Sequence, residues 1–166
     1  TTILLSIGDA LAIALMKKRK FGKLDFKKFH PAGNIGNKLK TANDLMLTKS
    51  KIPFISEKLN MKKALKIINS KKLGFGVVIN KQGLTTGVFT DGDLKRLMQK
   101  KRKIDHLKIK NLISKNPYSV EENTLAVDVL TLMNEKKITN LCVYKNGKKN
   151  KTIGVLHIHN ILANLD

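Results

Sequence analysis

Residues 42–166 repeat themselves, and that repetition narrows the possible folds more than any other feature of the chain. Ala42-Asn43-Asp44-Leu45-Met46 is matched by Ile109-Lys110-Asn111-Leu112-Ile113. Each is followed by a short extended stretch with a proline, KIPFI at 51–55 and NPYSV at 116–120. An amphipathic helical pattern comes next, MKKALKIINSKK (61–72) and LAVDVLTLMNEKK (125–137). Two apolar strands follow in each copy, GFGVVIN (74–80) then GVFT (87–90), and NLCVYKN (140–146) then GVLH (154–157). A short helix closes each unit, DLKRLMQ (93–99) and NILANL (160–165). The offset is 65 between Lys71 and Lys136 and 67 between Gly87 and Gly154, so the second copy has a turn longer by two.

A β-α-β-β-α unit of about 60 residues is too small to bury its own sheet face. Two in tandem can pack sheet against sheet, so an α+β fold of two packed sheets is expected. Apolar residues make up 42% of the chain, enough for a core, with Val, Ile and Leu dominant. Cys142 is the sole cysteine, which excludes an intrachain disulfide and a cysteine-based metal site and fits a reducing cytosol. No apolar run reaches the roughly 18–20 residues needed to span a bilayer. The opening TTILLSIGDALAIALMKKRK places its basic residues after the apolar stretch, and Asp9 interrupts that stretch. It reads as a helix ending in a basic turn rather than a signal peptide. The chain begins without Met and is expected to be an excised piece or a processed product.

The formal charge is +21, from 33 Lys and Arg against 12 Asp and Glu. Only three of the cations are Arg (Arg19, Arg96, Arg102), and the lysines are spread over almost every segment. Specific nucleic-acid surfaces favour the bidentate fork of Arg, with aromatic platforms between. Neither pattern is present. A lysine-biased ordinary surface is the expectation, and a basic nucleic-acid- or anion-binding protein is the competing class.

GVFTDGDLKRLM (87–98) sets two of the twelve acids at one strand-to-helix junction. Such a junction, with the helix starting near Asp93, offers free backbone N–H groups and a partial positive charge that suit a phosphate. An ionised carboxylate can accept from both vicinal hydroxyls of a ribose, and Lys95 and Arg96 add charge for a phosphate. A second reading stays open: Asp91 or Asp93 only caps the helix. A calcium loop at Asp91-Gly92-Asp93 lacks the further ligands and the closing Glu. In the second copy His157 and Asn160 replace the hydroxyl and the acid, so the two halves are expected to bind unequally. His157 and His159 form a metal pair only if a third ligand joins them, and none is near in sequence, so no metal is assigned.

Asp44-Leu45-Met46, the GFGVVIN strand and Gly87-Val88-Phe89-Thr90-Asp91-Gly92-Asp93-Leu94 resemble the CBS domain pair, or Bateman module, over residues 42–166. The family pattern of glycine, two apolar residues, Ser or Thr, two variable residues and Asp falls on Gly87, Thr90 and Asp93. The resemblance implies a nucleotide or nucleotide-sugar held between the repeats, its ribose on Asp93 and its phosphate near Thr90. The ligand-binding set it implies is Ile52, Phe75, Gly76, Val77, Thr90, Asp91, Asp93, Tyr118, Asn140, His157 and Asn160. It implies a homo-oligomer as well, or a module whose only role is dimerisation.

Residues 1–40 resemble the end of a sugar isomerase (SIS) domain of the arabinose-5-phosphate isomerase family. Thr1-Thr2, Gly8-Asp9-Ala10-Leu11-Ala12 and His30-Pro31-Ala32-Gly33 with Gly36 and Lys38-Leu39 carry that likeness, Ala32 replacing a family glycine. That family interconverts D-ribulose 5-phosphate and D-arabinose 5-phosphate for synthesis of the sugar acid Kdo, and tetramers are implied for its full-length members. His30 is then the catalytic candidate, reaching the site of a neighbouring subunit; on residues alone it is equally a turn histidine. In that family the sugar-phosphate loop lies upstream of Thr1, so this chain by itself is expected to be inactive, with an apolar face of its first helix exposed. The division expected is 1–40 for the SIS segment, 41–104 for the first CBS repeat and 105–166 for the second. No cofactor is required by this reading; the regulatory ligand it implies is CMP-Kdo or an adenine nucleotide.

Overall fold

A computed structural model describes residues 1–29, 39–100 and 104–165. Residues 1–39 and 40–166 form two units. In the first, α1 (Thr2–Lys18) ends with Lys17 and Lys18 at its negative pole. None of its residues is buried, and Ile3, Leu4, Leu5, Ile7, Leu11, Ile13 and Leu15 are exposed. α2 (Lys23–Phe29) opens with Asp25 accepting from the Gly22 N–H at 3.1 Å and from Lys28 Nζ at 2.9 Å. His30 lies outside the described residues.

The second unit holds α3 (Ala42–Leu45), β1 (Leu47–Thr48), β2 (Phe54–Ser56), α4 (Met61–Lys71), β3 (Phe75–Ile79), β4 (Thr85–Thr90) and α5 (Asp91–Lys100). The second copy follows with β5 (Ser119–Glu121), α6 (Ala126–Lys136), β6 (Asn140–Tyr144), β7 (Thr152–His157) and α7 (Ile158–Leu165). A short 3₁₀ turn precedes each copy's extended stretch, Lys49–Lys51 and Ile109–Asn111. The strands form a three-stranded sheet ordered β2-β3-β4 and a four-stranded sheet ordered β1-β7-β6-β5.

The two copies share one register. β3 pairs antiparallel with β4, Phe75 opposite Thr90 and Val78 opposite Gly87, and the register slips between Val78 and Ile79. β6 pairs with β7 in the same way, Asn140 opposite His157 and Val143 opposite Gly154, slipping between Val143 and Tyr144. β2 and β5 run parallel to β3 and β6. The turn is longer by two in the second copy, 145–151 against 80–84, as the offset requires.

Each copy's opening segment docks on the other copy. β1 pairs with β7, Thr48 opposite Gly154, and Ala42 is buried among Val120, Ala126, Val129, Met133, Leu141, Val143, Leu156 and Ile161. Reciprocally, Ser114 bridges Val88 on β4, and Ile109 is buried with Ile55, Met61, Ala64, Ile68, Val78 and Phe89. Backbone bonds repeat the exchange: the Ala42 N–H donates to the Thr124 carbonyl at 2.8 Å, and the Ile109 N–H to the Leu59 carbonyl at 3.0 Å. A third cluster, Ile52, Phe75, Val77, Cys142 and Val155, lies between the sheets. Sheet therefore packs on sheet, with helices on the outer faces. Among the described residues, no helix is long and apolar enough to cross a membrane.

The exchange explains the glycine that both strands share. A Cβ on Gly87 would lie 2.7 Å from the Ser114 carbonyl oxygen. On Gly154 it would press on the Met46 side chain. Both are places where the opening segment of the other copy crosses the strand.

Candidate functional site

β4 runs into α5 at Thr90, and the helix begins at Asp91, two residues before the start near Asp93 that the sequence suggests. Thr90 is thus the cap and Asp93 the third helical residue. The Thr90 N–H and Oγ1 donate to Asp93 Oδ2 at 2.9 and 2.8 Å, and the Asp93 N–H donates to Thr90 Oγ1 at 3.2 Å. This is a capping box, two orphan donors satisfied reciprocally. Asp93 Oδ1 accepts from Arg96 Nη2 at 2.6 Å and from Ser114 Oγ at 3.2 Å. Partial burial pushes the Asp93 carboxyl up, but bonds from the Thr90 hydroxyl, Arg96, the Thr90 N–H and Ser114 outweigh it and hold the group below its ordinary range.

Around this junction lies a cleft of about 810 Å³. One wall comes from the first copy: Lys72, Gly74, Phe75, Val88, Thr90, Asp91, Asp93 and Arg96. The other comes from the second copy, through Ser114–Tyr118, Lys137–Cys142 and His157. Its volume is of the size that small-ligand sites occupy. Lys72, Arg96, Lys115 and Lys137 face Asp91 and Asp93 in the lining, so cations outnumber carboxylates. Lys72 and Lys137 are related by the repeat, and each ends its helix in a left-handed conformation (φ 55° and 52°). Burial, and then the nearby His159, lower the His157 pKa below its ordinary value. Burial pushes the Cys142 thiol up to about 11, an inert form.

Of the residues expected to bind ligand, Phe75, Thr90, Asp91, Asp93, Tyr118, Asn140 and His157 line this cleft. The other four stand elsewhere. Ile52 and Val77 are buried between the sheets. Gly76 faces Ile55 and Ile68, where a Cβ would clash. Asn160 lies in the first turn of α7, its carbonyl accepting from Asn164 Nδ2 at 2.8 Å. Lys95 is exposed and does not line the cleft, whereas Arg96 does. Ser114, Lys115, Lys72 and Lys137 were not singled out in the sequence, and the repeat alignment is the signal that pairs Lys72 with Lys137. The His157 and His159 rings lie 5.1 Å apart; among the described residues no group of three metal-ligating side chains gathers.

This doubled unit, with its cleft at the strand-to-helix junction, can be set beside known proteins. Residues 42–100 and 109–166 match the model of the CBS domain. The chain belongs to the CBS domain family. Arabinose 5-phosphate isomerase KdsD of Yersinia pestis is 38% identical over 163 residues, covering 98% of this chain and 49% of that protein. The chain therefore spans about half the length of the curated relatives it matches. Among solved structures, CBSX2 in complex with AMP superposes with a TM-score of 0.61 at 24% identity, over 74% of this chain and 93% of that one. The CBS domain of a bacterial CNNM/CorC family Mg2+ transporter in complex with ATP gives 0.64 at 15% identity, over 78% and 89%. Both share the fold of this CBS pair.

Proposed function

We propose that this CBS pair is the ligand-sensing module of an arabinose 5-phosphate isomerase-like protein. A nucleotide or nucleotide-sugar occupies the cleft and biases an attached sugar-isomerase domain. The observation that carries this reading is the placement of Thr90, Asp93 and Arg96 against Ser114–Tyr118 of the second copy. One ligand there touches both repeats, so it binds one arrangement of them better than another, which regulation requires. Asp93 offers a carboxylate to ribose hydroxyls, and the four cations offer charge to phosphates. The name borne by the relatives supports the attached activity, interconversion of D-ribulose 5-phosphate and D-arabinose 5-phosphate. In this reading the present chain senses and does not catalyse, His30 acts only within a complete oligomer, and the module pairs with a second copy. The ligand is CMP-Kdo or an adenine nucleotide; the neighbours solved with AMP and ATP favour testing the latter first.

A thermal-shift and calorimetry panel of AMP, ATP, CMP and CMP-Kdo tests it. At a hundredfold excess over Kd, a true ligand stabilises by about 2.7 kcal/mol, a shift of several degrees. No shift with any member, on folded protein, overturns the sensing role. An Asp93→Ala variant that binds as tightly as the wild type overturns the ribose assignment.

A further inference from the structure

The two strand-to-helix junctions share a backbone and differ in what closes the helix. The Asp91 N–H donates to the Gly74 carbonyl at 2.9 Å, and its repeat-equivalent, the Ile158 N–H, donates to the Thr139 carbonyl at 2.9 Å. At α5 the cap is the Thr90 hydroxyl with the Asp93 carboxylate. At α7 those places hold His157 and Asn160, and the cap is a ring nitrogen: the His159 N–H donates to His157 Nδ1 at 3.2 Å. A nitrogen that accepts carries no proton, so the neutral ring is the Nε2–H tautomer. Protonation puts a hydrogen on Nδ1 and ends that bond. It also sets a positive charge at the positive end of a helix, beside the His159 ring 5.1 Å away. In the first copy the Thr90 hydroxyl does not titrate, and Asp93, held below 3.8, stays charged. Of the two caps, then, only that of the second copy changes between about pH 7 and pH 5.

His157 also lines the cleft, opposite Asn140 across β6 and β7. The charged and titratable groups that share this lining come from every neighbouring element. They are Lys72 after α4, Asp91, Asp93 and Arg96 on α5, Lys115 and Tyr118 before β5, Lys137 after α6 and Cys142 on β6. The thiol stays protonated, and Asp93 is already paired with Arg96 at 2.6 Å. Among the described residues no carboxylate forms an ion pair with His157. The cations in excess favour a neutral ring, as do burial and His159, which hold its pKa below 6.5. An anion entering the cleft offsets that excess and favours the protonated ring.

We infer that His157 is a proton-operated latch on the second repeat. Neutral, it closes the start of α7. Protonated, it releases the His159 N–H and joins the cations of the cleft, so a phosphate-bearing ligand is held more tightly in mild acid. The latch makes one copy of the module responsive to pH and leaves the other fixed. Its ligand half rests on the nucleotide reading given above; its cap half rests on the bond to Nδ1.

NMR titration of the whole chain between about pH 7.5 and about pH 5 tests the cap. The neutral His157 ring should show a bare Nδ1 and a protonated Nε2, with a midpoint below 6.5. The His159 amide should exchange faster as the ring protonates. Calorimetry with ATP tests the ligand half. ATP should raise the ring's midpoint by about one pH unit. It should bind about fivefold more tightly at about pH 5.5 than at about pH 7.5, relative to the same ratio in His157→Asn. Asn caps a helix at any pH, so this variant keeps the closed helix and loses the titrating group. The titration of ATP itself is common to both proteins and cancels in the ratio. A neutral ring protonated on Nδ1, or a His159 amide indifferent to pH, overturns the latch while nucleotide sensing stands. An equal pH ratio in the two proteins overturns the coupling to the cleft. Should ATP bind at neither pH, the nucleotide reading and the ligand half fall together, and the ring's tautomer still decides the cap. Where His157→Asn does not fold, the midpoint of the wild-type ring with and without ATP decides the coupling.

Discussion

Thr85 Oγ1 and Thr152 Oγ1 lie 2.7 Å apart. The two residues stand 67 apart in sequence, at the same position of each copy, the first residue of β4 and of β7. One hydroxyl therefore bonds its own repeat-equivalent, which places the pair on the local twofold of the module. Thr152 is buried, and its N–H reaches Thr85 Oγ1 at 3.4 Å as well. Truncating one partner leaves the other's hydroxyl without its partner. Thr152→Val should cost about 1–3 kcal/mol, while the double change Thr85→Val with Thr152→Val should cost less than the sum of the singles. Urea unfolding of the four proteins in the cycle measures it, and strict additivity would remove the pair's claim to bind the copies together.

Gly87 and Gly154 are equivalent, yet their surroundings differ in how far they can give way. A Cβ at Gly87 meets backbone, the Ser114 carbonyl oxygen at 2.7 Å. At Gly154 it meets the flexible Met46 side chain. Gly87→Ala should destabilise by about 1–3 kcal/mol, as overpacking does, and Gly154→Ala by less. Gly87→Ala should also weaken nucleotide binding, since Ser114 lines the cleft and bonds Asp93. Equal losses in thermal and denaturant unfolding would contradict this account.

Much of this architecture was legible because the repeat fixed it. Once GVFT and GVLH are aligned, strand pairing and the position of Thr90 and Asp93 follow, and the continuous apolar runs of β3 and β6 fit strands covered on both faces. The exchange of opening segments was not legible. Ala42 and Ile109 are equivalent small and apolar residues, and either would fit its own copy's core or the other's; only the chain path decides. That exchange is also why the cleft wall at Ser114–Tyr118 was only partly foreseen, through Tyr118. Of the expected set, Ile52 and Val77 are buried between the sheets and Gly76 faces Ile55 and Ile68, so these three stand apart from the residues that line the cleft. The helix start at Asp91 was misplaced by two residues because Thr90, Asp91 and Asp93 are all competent caps, and sequence does not choose among them.

His157 gives the module a pH dependence of known sign. Burial, and then His159, hold its pKa below the ordinary 6.5, so the folded protein binds that proton less readily than the unfolded chain. Its neutral form therefore supports the fold above the unfolded value, and this contribution fades as pH falls from 6.5 toward the folded value. From about pH 7.5 to about pH 5.5 the wild type should lose stability relative to His157→Gln. The difference between the two proteins reports the His157 imidazole together with its coupling to His159. Parallel stability curves for the two would show that His157 is not held neutral by the fold.

Asp93 is the case in which one carboxylate closes a helix and faces a ligand. Its side chain is 12% exposed, and both oxygens are already engaged, Oδ2 by Thr90 and Oδ1 by Arg96 and Ser114. Burial alone would raise its pKa, but these bonds keep it below 3.8. Stability from this group is therefore present above the unfolded value near 3.8 and lost as pH falls through the lower folded value. Asp93→Asn keeps the shape but turns an NH₂ toward Arg96 or Thr90, so one of those donors loses its acceptor. The variant should be about 1 kcal/mol less stable at neutral pH, and its stability should fall less steeply than the wild type's below about pH 4. Its affinity for a ribonucleotide should drop roughly tenfold, and for the 2′-deoxy analogue much less, because a charged acceptor grips vicinal hydroxyls more strongly than a neutral amide. Acid titration of stability and calorimetry with the two nucleotides separate the roles. A steep acid limb lost without any change in ribonucleotide affinity would make Asp93 a cap and nothing more.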